Sequence, residues 1–368
     1  PALPAGWFGD PAHYERELEC FWYDRWIAVL REESLTARGD YRTVTIGTQS
    51  IVVLRDDGGE LRAYYNVCRH RGSLLVEDRA GRFTGGVITC PYHAWTYDLA
   101  GALTLTPRRM PTPDFDRRRF ALLPVHVARW GGFVFLHLGR EPAPLADALG
   151  DVPGRFARYE FARLRAGHRI VRDVAANWKL LAENFQECLH CPPVHPELCR
   201  IVPAYAEGGA WGLRGSEARA EYRSGARTLT LDGTARLAPF RGLDAEERAR
   251  LYAAATVLPN LFLNVHPDYV HTHTMFPTGP TSVRMVYEWL FAPEAMPAAA
   301  DDLAHYVALW ERINAQDAHN CELQQRGLAA RPFEHGWYVP QEFDAHRFAQ
   351  WIRAGLGERA ASGAKKRK

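Results

Sequence analysis

Two short segments of the sequence each combine a cysteine with a histidine at the spacing of metal ligands. Cys68 and His70 lie in CRHRG, and Cys90 and His93 lie in CPYHAW. Two thiolates and two imidazoles can hold a tetrahedral zinc ion, or a [2Fe–2S] cluster in which two histidines replace two cysteines on one iron. The cluster is favoured, because each segment offers one thiolate and one imidazole, whereas zinc fingers usually group two cysteines in one knuckle.

A second group of potential ligands lies in the segment ENFQECLHCPPVHPEL. The apolar pattern predicts a helix over residues 174–190 that stops near two consecutive prolines. Glu183, Glu187 and His190 share one face of this helix. His195 follows the prolines, so it can return toward His190 from a loop. Because carboxylates on an inward face are costly without a cation or hydrogen bonds, the segment indicates a metal site.

A third ligand is offered by a long helix predicted from Asp301 to Gly327. Asp317 falls on the apolar stripe of this helix, in register with Trp310, Ile313 and Cys321. A buried acid stays protonated or requires a partner, and a metal ion supplies one. Together with the two histidines, Asp317 would complete a 2-His-1-carboxylate triad, which leaves positions open for O2 at Fe(II).

The composition is that of a globular protein and limits its partners. The chain has 368 residues, of which 47% are hydrophobic, and a net charge of +2. This charge gives no strong field to attract nucleic acid or an anionic membrane. No apolar stretch is long enough to span a bilayer, and no signal peptide begins the sequence. The seven cysteines are therefore expected to be reduced thiols or metal ligands in the cytoplasm.

The sequence predicts an α+β protein with three segments. Residues 1–37 should form N-terminal helices, mainly over 11–33, that pack on the catalytic domain. Residues 38–155 alternate short β-branched runs with turns and should form an all-β domain. Residues 156–368 should form a second domain of antiparallel sheet with covering helices, including a strand over 226–231.

The two groups of ligands, in this order along the chain, resemble the α subunit of the Rieske non-haem iron oxygenases. The resemblance extends from about Trp22 to Gly327 and includes Asn-Trp-Lys before the second group. It implies a helix-grip-like catalytic domain, a [2Fe–2S] cluster and a mononuclear Fe(II). The implied cluster ligands are Cys68, His70, Cys90 and His93, and the implied iron ligands are His190, His195 and Asp317. Glu187 takes the place of the acid that links a cluster histidine of one subunit to an iron histidine of its neighbour.

The resemblance also implies an activity and partners. The segments ECLHCPPVHPEL and CELQQRGL are similar to the branch that acts on glycine betaine, stachydrine and carnitine. The expected reaction is O2-dependent monooxygenation or N-demethylation by a homotrimer that receives electrons from an NAD(P)H-dependent flavin or ferredoxin reductase. Hydroxylation of an aromatic compound is the alternative. Two further hypotheses are a Rieske electron carrier without catalytic iron and a zinc-stabilised scaffold or hydrolase.

Aromatic side chains in the second half could enclose a quaternary ammonium group, since such cations bind ring faces. The candidates are Phe185, Tyr205, Trp211, Tyr252, Tyr269, Phe276 and Trp289, most of which are expected in the core. His266, His271 and His273 could include a substrate contact or could be hydrogen-bonded scaffold. Lys179 is the only lysine outside the C-terminal basic segment, and a solvated helix position is expected for it.

Overall fold

The computed structural model describes residues 1–107, 112–208, 219–250 and 252–357. The chain divides into two compact units, one formed by Trp22–Leu145 and the other by Pro1–Phe21 with Ala146–Lys368. The domain boundaries after residues 37 and 155 stay predictions beside these limits. Across the described ranges, no helix combines the length and the apolar character that crossing a membrane requires.

The unit Trp22–Leu145 is built from two antiparallel sheets. A seven-stranded sheet has the order β1-β10-β9-β4-β3-β2-β5, and a three-stranded sheet has the order β6-β7-β8. The strands are β1 Ile27–Arg31, β2 Asp40–Ile46, β3 Gln49–Arg55, β4 Leu61–Tyr65, β5 Ala80–Arg82, β6 Val87–Thr89, β7 Thr96–Asp98, β8 Leu103–Leu105, β9 Pro124–Trp130 and β10 Phe133–His137. The predicted all-β architecture is therefore confirmed.

The Asp-Asp-Gly-Gly sequence forms the hairpin between β3 and β4. Asp56 Oδ1 accepts hydrogen bonds from the N–H groups of Gly58 and Glu60, both at 2.9 Å. Gly59 has a φ of 81°, a conformation that costs glycine nothing and other residues about 1–2 kcal/mol. The next strand leads directly to Cys68, so this turn helps to place the first pair of ligands.

The prediction of helix over residues 11–33 is wrong at its C-terminal end. Helix α1 spans Pro11–Glu17, a π-helical turn covers Leu18–Tyr23, and β1 follows at Ile27–Arg31. The strand pairs with β10, and four of its five residues are buried. A strand buried on both faces is a continuous apolar run, whose periodicity does not distinguish it from a helix.

The second unit contains a six-stranded antiparallel sheet covered by helices, which confirms the predicted α+β class. The sheet order is β11-β16-β15-β14-β13-β12. Its strands are β11 Arg165–Val174, β12 Arg219–Ala220, β13 Tyr252–Val257, β14 Leu261–Val265, β15 Val270–Gly279 and β16 Ser282–Phe291. After α1, the helices are α2 Leu145–Leu149, α3 Val152–Arg155, α4 Trp178–Phe185, α5 Cys191–Val194, α6 Pro196–Ile201, α7 Ala245–Arg250, α8 Ala300–Leu328 and α9 Phe343–Gly355. The strand predicted over 226–231 is wrong, because none of these residues pairs in a sheet and 228–231 form bends.

Helix α8 confirms the predicted long helix and its apolar stripe. Trp310, Ile313 and Cys321 are at most 4% exposed, and the Asp317 side chain on the same side is 17% exposed. The stripe packs toward the sheet because burying large apolar side chains stabilises the helix far more than intrinsic propensity does. Asp317 is thereby directed into the interior of this unit.

Lys179 is not solvated, so that prediction is wrong. Its side chain is fully buried, and Nζ donates hydrogen bonds to Glu17 Oε1 at 2.5 Å, Asn177 Oδ1 at 2.9 Å and the Trp7 carbonyl oxygen at 2.9 Å. Glu17 is also fully buried and accepts a second hydrogen bond from Trp178 Nε1. This charged pair connects the N-terminal segment to the first turn of α4.

Candidate metal centres

Cys68 and Cys90 begin two loops that share one backbone hydrogen-bond pattern. In each loop the cysteine N–H donates to the carbonyl oxygen five residues later, and the N–H four residues later donates to the cysteine carbonyl oxygen, with distances of 2.8–3.1 Å. The residue four positions after each cysteine has a positive φ, 78° at Gly72 and 56° at Ala94. Equivalent loops of this kind present their side chains in matching directions, although a left-handed alanine is strained.

The loops bring the four predicted ligands together with an uneven burial. Both cysteines are 2% exposed, whereas His70 is exposed and His93 half-buried. The two imidazole centroids lie 4.7 Å apart, and burial raises the pKa of the Cys68 thiol, which the neighbouring Cys90 thiol raises further. Two buried thiols below two accessible imidazoles fit a cluster with one sulfur-bound and one nitrogen-bound iron.

The spread of these four residues does not fit a single zinc ion. We compared the histidine, cysteine, aspartate and glutamate side chains of the described ranges. Only His190, His195 and Asp317 form a set of three or more whose ligand atoms all lie within 4.8 Å of one another. A tetrahedral zinc site places its ligand atoms within this limit, because each lies about 2.0–2.3 Å from the ion. The geometry therefore supports a two-iron cluster over the zinc alternative.

The Tyr97 hydroxyl group lies beside one of the predicted cluster cysteines, a contact that the ligand spacing did not indicate. Its hydroxyl oxygen lies 3.3 Å from Cys68 Sγ and accepts a hydrogen bond from the Arg69 N–H at 3.1 Å. Since the Arg69 N–H occupies a lone pair, the hydroxyl proton is available to Sγ. Hydrogen bonds to cluster sulfurs raise the reduction potential by stabilising the more negative reduced state.

Replacing Tyr97 with Phe should lower the reduction potential of the cluster by about 20–65 mV. A hydrogen bond contributes about 0.5–1.5 kcal/mol, which converts to this range for one electron. Spectroelectrochemical titration measures the shift. Tyr92→Phe is the matched control, because Tyr92 lies in the second loop but is 59% exposed. Equal potentials in wild type and Tyr97→Phe would contradict the role assigned to the hydroxyl group.

The predicted helix over 174–190 is wrong at both ends, because α4 spans only Trp178–Phe185 and the turn that carries Glu187 and His190 is not helical. The N–H of Leu189 donates to Glu187 Oε2 at 2.5 Å, and the His190 N–H approaches the same oxygen at 3.4 Å. The side chain thus satisfies backbone donors that a continuing helix would direct to carbonyl groups. Glu183 remains on α4 and accepts a hydrogen bond from Tyr338, so it does not share a helical face with Glu187 or His190.

The structure places His190, His195 and Asp317 in one cluster. Nε2 of His195 lies 2.8 Å from Asp317 Oδ1, and Nε2 of His190 lies 3.4 Å from the same oxygen. His190 precedes α5, and His195 lies between α5 and α6, so the prolines return the second histidine toward the first. Asn184 Nδ2 on α4 also donates to Asp317 Oδ1, at 2.8 Å.

Hydrogen bonds behind the two imidazoles orient both rings in the same sense. His190 Nδ1 lies 2.5 Å from Glu187 Oε1, and His195 Nδ1 lies 2.7 Å from Gln316 Oε1. Since both partners are acceptors, each Nδ1 donates its proton to its partner, and each Nε2 is directed at Asp317 Oδ1. Gln316 in turn donates to Glu197 Oε1 at 3.1 Å. Partners of this kind fix the tautomer and raise the basicity of a metal-bound imidazole.

The charges at this cluster fit a bound cation. Burial alone would lower the pKa of His190, but hydrogen bonds with Asp317 and Glu187 raise it to about 10. Burial would raise the pKa of Asp317, yet the two histidines hold it well below its usual range. Once a cation replaces the Nε2 protons, two imidazole nitrogens and a carboxylate directed at one point form the donor set of a facial Fe(II) triad, so the residues present fit mononuclear iron.

The predicted pocket aromatics have different environments. Phe185 packs against His273, with ring centroids 5.3 Å apart. His273 is close enough to Asp317 for the carboxylate to affect its pKa. Tyr269 and Trp289 are fully buried. Trp211 and the side chain of Tyr252 lie outside the described residues. Gln316 and Asn184 were missed, because an amide beside a ligand has no distinctive sequence spacing.

Comparison with known families agrees with this geometry. Residues 161–358 match the model of the ring hydroxylating alpha subunit (catalytic domain), and residues 25–116 match that of the Rieske [2Fe-2S] domain. The first match covers more than half of the chain.

Individual proteins give the same result. The glycine betaine monooxygenase oxygenase subunit of Chromohalobacter salexigens is 30% identical over 95% of this chain and 84% of its own length. The chloroplastic choline monooxygenase of Beta vulgaris is 29% identical over 96% of this chain and 76% of its own. A crystal structure of the quaternary ammonium Rieske monooxygenase CntA shares the fold, with a TM-score of 0.80 and 24% identity over 96% of this chain and 95% of its own. The chain belongs to the ring-hydroxylating alpha subunit family and is a Rieske-type oxygenase that uses a [2Fe–2S] cluster and a mononuclear iron.

Proposed function

We propose that this oxygenase monooxygenates a small quaternary ammonium compound. The observation that carries the proposal is the convergence of His190, His195 and Asp317 within 4.8 Å in a chain that also presents the paired Cys–His loops. An electron carrier or a zinc-stabilised module needs only the loops and gives no reason for the second cluster of ligands. The names of two relatives, a glycine betaine and a choline monooxygenase, favour a quaternary ammonium substrate over an aromatic ring.

Each group of residues has a defined part in this proposal. The [2Fe–2S] cluster supplies electrons one at a time, and the mononuclear iron supplies the O2-activating chemistry. Cys68 and Cys90 would hold the inner iron of the cluster, and His70 and His93 the accessible one. His190, His195 and Asp317 would hold the mononuclear iron on one side and leave the opposite side to O2 and substrate.

The proposed reaction inserts one oxygen atom into a C–H bond. The substrate, O2, two electrons and two protons give the hydroxylated compound and water. If the carbon is an N-methyl group, the product is a hemiaminal, which releases formaldehyde and leaves the demethylated amine. The electrons would come from an NAD(P)H-dependent flavin or ferredoxin reductase.

Glu187 is proposed to bridge two subunits of a homotrimer. A closed ring of three chains can place the cluster loops of one subunit against the iron residues of the next. Glu187 already accepts the Nδ1–H of His190, and its side chain is 15% exposed. The carboxylate therefore has lone pairs left to accept a hydrogen bond from a cluster histidine of the neighbouring subunit. Glu187 would then connect the two metal centres and act as an electron-transfer bridge.

Replacing Glu187 with Gln should leave both metal centres loaded but slow product formation at least about tenfold. The amide keeps one acceptor for His190 but cannot accept hydrogen bonds from two imidazoles with both of its terminal atoms. Rapid mixing of reduced protein with O2 measures cluster reoxidation directly. Gln316→Leu is the comparison, because it removes the hydrogen bond behind His195, the iron-site imidazole that Glu187 does not contact. Cluster reoxidation at the wild-type rate in Glu187→Gln would contradict the bridging role.

A substrate screen tests the proposed function. Purified protein is supplied with NADH and a surrogate reductase, and formaldehyde release from betaines is compared with hydroxylation of aromatic acids. The proposal predicts O2-dependent consumption of at least one quaternary ammonium compound. Turnover confined to aromatic acids would replace it with ring hydroxylation, and uncoupled NADH oxidation with every compound would contradict both.

A further inference from the structure

Glu197 is connected to the iron-site histidine His195 through a single amide. It lies two residues further along the chain, in the first turn of α6. Its carboxylate oxygen Oε1 accepts a hydrogen bond from Gln316 Nε2 at 3.1 Å. Gln316 Oε1 in turn lies 2.7 Å from His195 Nδ1. The three side chains therefore form one chain of hydrogen bonds that ends at a metal ligand.

Helix α8 supplies the partners of the Glu197 carboxylate. Glu197 is only 9% exposed, and a carboxylate removed from water is costly unless hydrogen bonds or an opposite charge compensate it. Besides the Gln316 amide, Arg312 Nε lies 3.6 Å from the same carboxylate oxygen. Arg312 and Gln316 are four residues apart on α8, so they lie on one face of the helix. This face therefore holds the carboxylate beside the amide that His195 contacts.

The Gln316 amide satisfies both of its neighbours in only one orientation. Its end carries an accepting oxygen and a donating nitrogen, which differ little in shape, so sterics alone does not choose between the two orientations. An ionised carboxylate can only accept hydrogen bonds, so the amide nitrogen must face Glu197. The amide oxygen is then left for His195, and Nδ1 of that ring must be the donor.

The orientation of this amide decides which tautomer of His195 iron can use. A neutral imidazole carries one proton. With that proton on Nδ1, the lone pair of Nε2 is free for the metal. If the amide were reversed, its N–H would favour a lone pair on Nδ1, and the proton would lie on Nε2, where iron must bind. Glu197 disfavours this second arrangement, because the reversed amide would direct its oxygen at a carboxylate oxygen.

The other iron-site histidine, His190, needs no such control. Its Nδ1 contacts Glu187 Oε1 directly, and a carboxylate accepts with either oxygen. The partner of His195 is an amide, which can either donate or accept, so the tautomer of this ring depends on one further residue. The two histidines therefore require different numbers of supporting side chains.

We propose that Glu197 is a positioning residue of the mononuclear iron site, which fixes the orientation of the Gln316 amide and thereby keeps His195 in the tautomer that binds iron. Glu197 acts through Gln316 and is not itself a ligand. This inference rests on the proposed function in one respect, the assignment of His195 to iron, and it is independent of the substrate.

Exchanging the two side chains tests the proposal without turnover. The full-length protein, with its cluster in place, is depleted of mononuclear iron by a chelator under argon, and equilibrium dialysis measures the dissociation constant of added Fe(II). Glu197→Gln and Gln316→Glu should each raise this constant at least about tenfold. The first replaces an obligate acceptor with a group that can also donate, and the second places two carboxylates in contact. The double variant should bind Fe(II) within about threefold of wild type, because the carboxylate at 316 then accepts from both neighbours.

Two further variants complete the experiment. Glu311→Gln is the matched control, because Glu311 is exposed on the same helix, and it should leave the dissociation constant unchanged. Urea unfolding of each variant separates weaker iron binding from loss of the fold. Wild-type Fe(II) affinity in Glu197→Gln, or a double variant that binds no more tightly than Gln316→Glu, would overturn the proposal. Undiminished Fe(II) affinity in His195→Ala would instead contradict the iron site of the proposed function.

Discussion

Replacing Asp317 with Ala should remove the mononuclear iron and leave the [2Fe–2S] cluster in place. Iron content should fall from about three to about two atoms per chain, and product formation should fall more than about 100-fold. Asp317 is the carboxylate on which both imidazole Nε2 atoms and the Asn184 amide converge. Its loss leaves two neutral histidines, which hold a divalent cation poorly.

Iron analysis with electron paramagnetic resonance measures both centres in one sample. Asp301→Ala is the matched control, because Asp301 lies in the exposed first turn of the same helix. It should retain wild-type iron content and activity. Retention of the full iron complement in Asp317→Ala would show that this carboxylate is not a ligand.

Replacing Lys179 with Met should destabilise the catalytic unit by about 3–5 kcal/mol, because it leaves the Glu17 carboxylate buried without its cation. The fully buried pair is separated by 2.5 Å. Urea unfolding followed by tryptophan fluorescence measures the change, since Trp178 donates a hydrogen bond to the same carboxylate.

A second substitution separates the pair from the loss of packing. Glu17→Leu combined with Lys179→Met should recover most of the lost stability, because replacing both partners of a buried ion pair is often neutral. Glu15→Gln on the same helix is the control, as Glu15 is exposed, and it should change the free energy of unfolding by less than about 0.5 kcal/mol. A single Lys179→Met variant as stable as wild type would contradict the role of this pair.

Most of the metal ligands could be predicted because they lie a few residues apart in the sequence, at spacings typical of metal sites. Cys68 with His70, and Cys90 with His93, lie in loops whose ligand pattern needs no knowledge of the fold. Asp317 could be identified since an acid on an apolar helical stripe requires a partner. The structure brings the residues of each group together, while their assignment to metals remains our proposal.

Features that depend on distant partners could not be predicted. β1 is buried by its pairing with β10, so its sequence, IAVLR, carries no sign of strand over helix. Lys179 is buried because Glu17, far away in sequence, supplies its counter-charge. The break after Phe185 depends on the Glu187 carboxylate accepting backbone N–H groups, a use of glutamate that helix propensity does not reveal.

The hydrogen-bond partners behind the ligands show the same limit. Gln316 orients His195 only because α8 passes close to the turn between α5 and α6. Along the sequence, it is one glutamine in a long polar helix.

A single-turnover experiment tests the central claim most directly. Holoprotein reduced under argon is mixed once with O2 and a quaternary ammonium substrate, with no reductase present, and product is quantified by mass spectrometry. Each chain stores one electron in its cluster and one in Fe(II), so the account predicts about one product molecule per chain and concomitant oxidation of the cluster. Complete oxidation of the cluster by O2 without hydroxylated or demethylated product would contradict it.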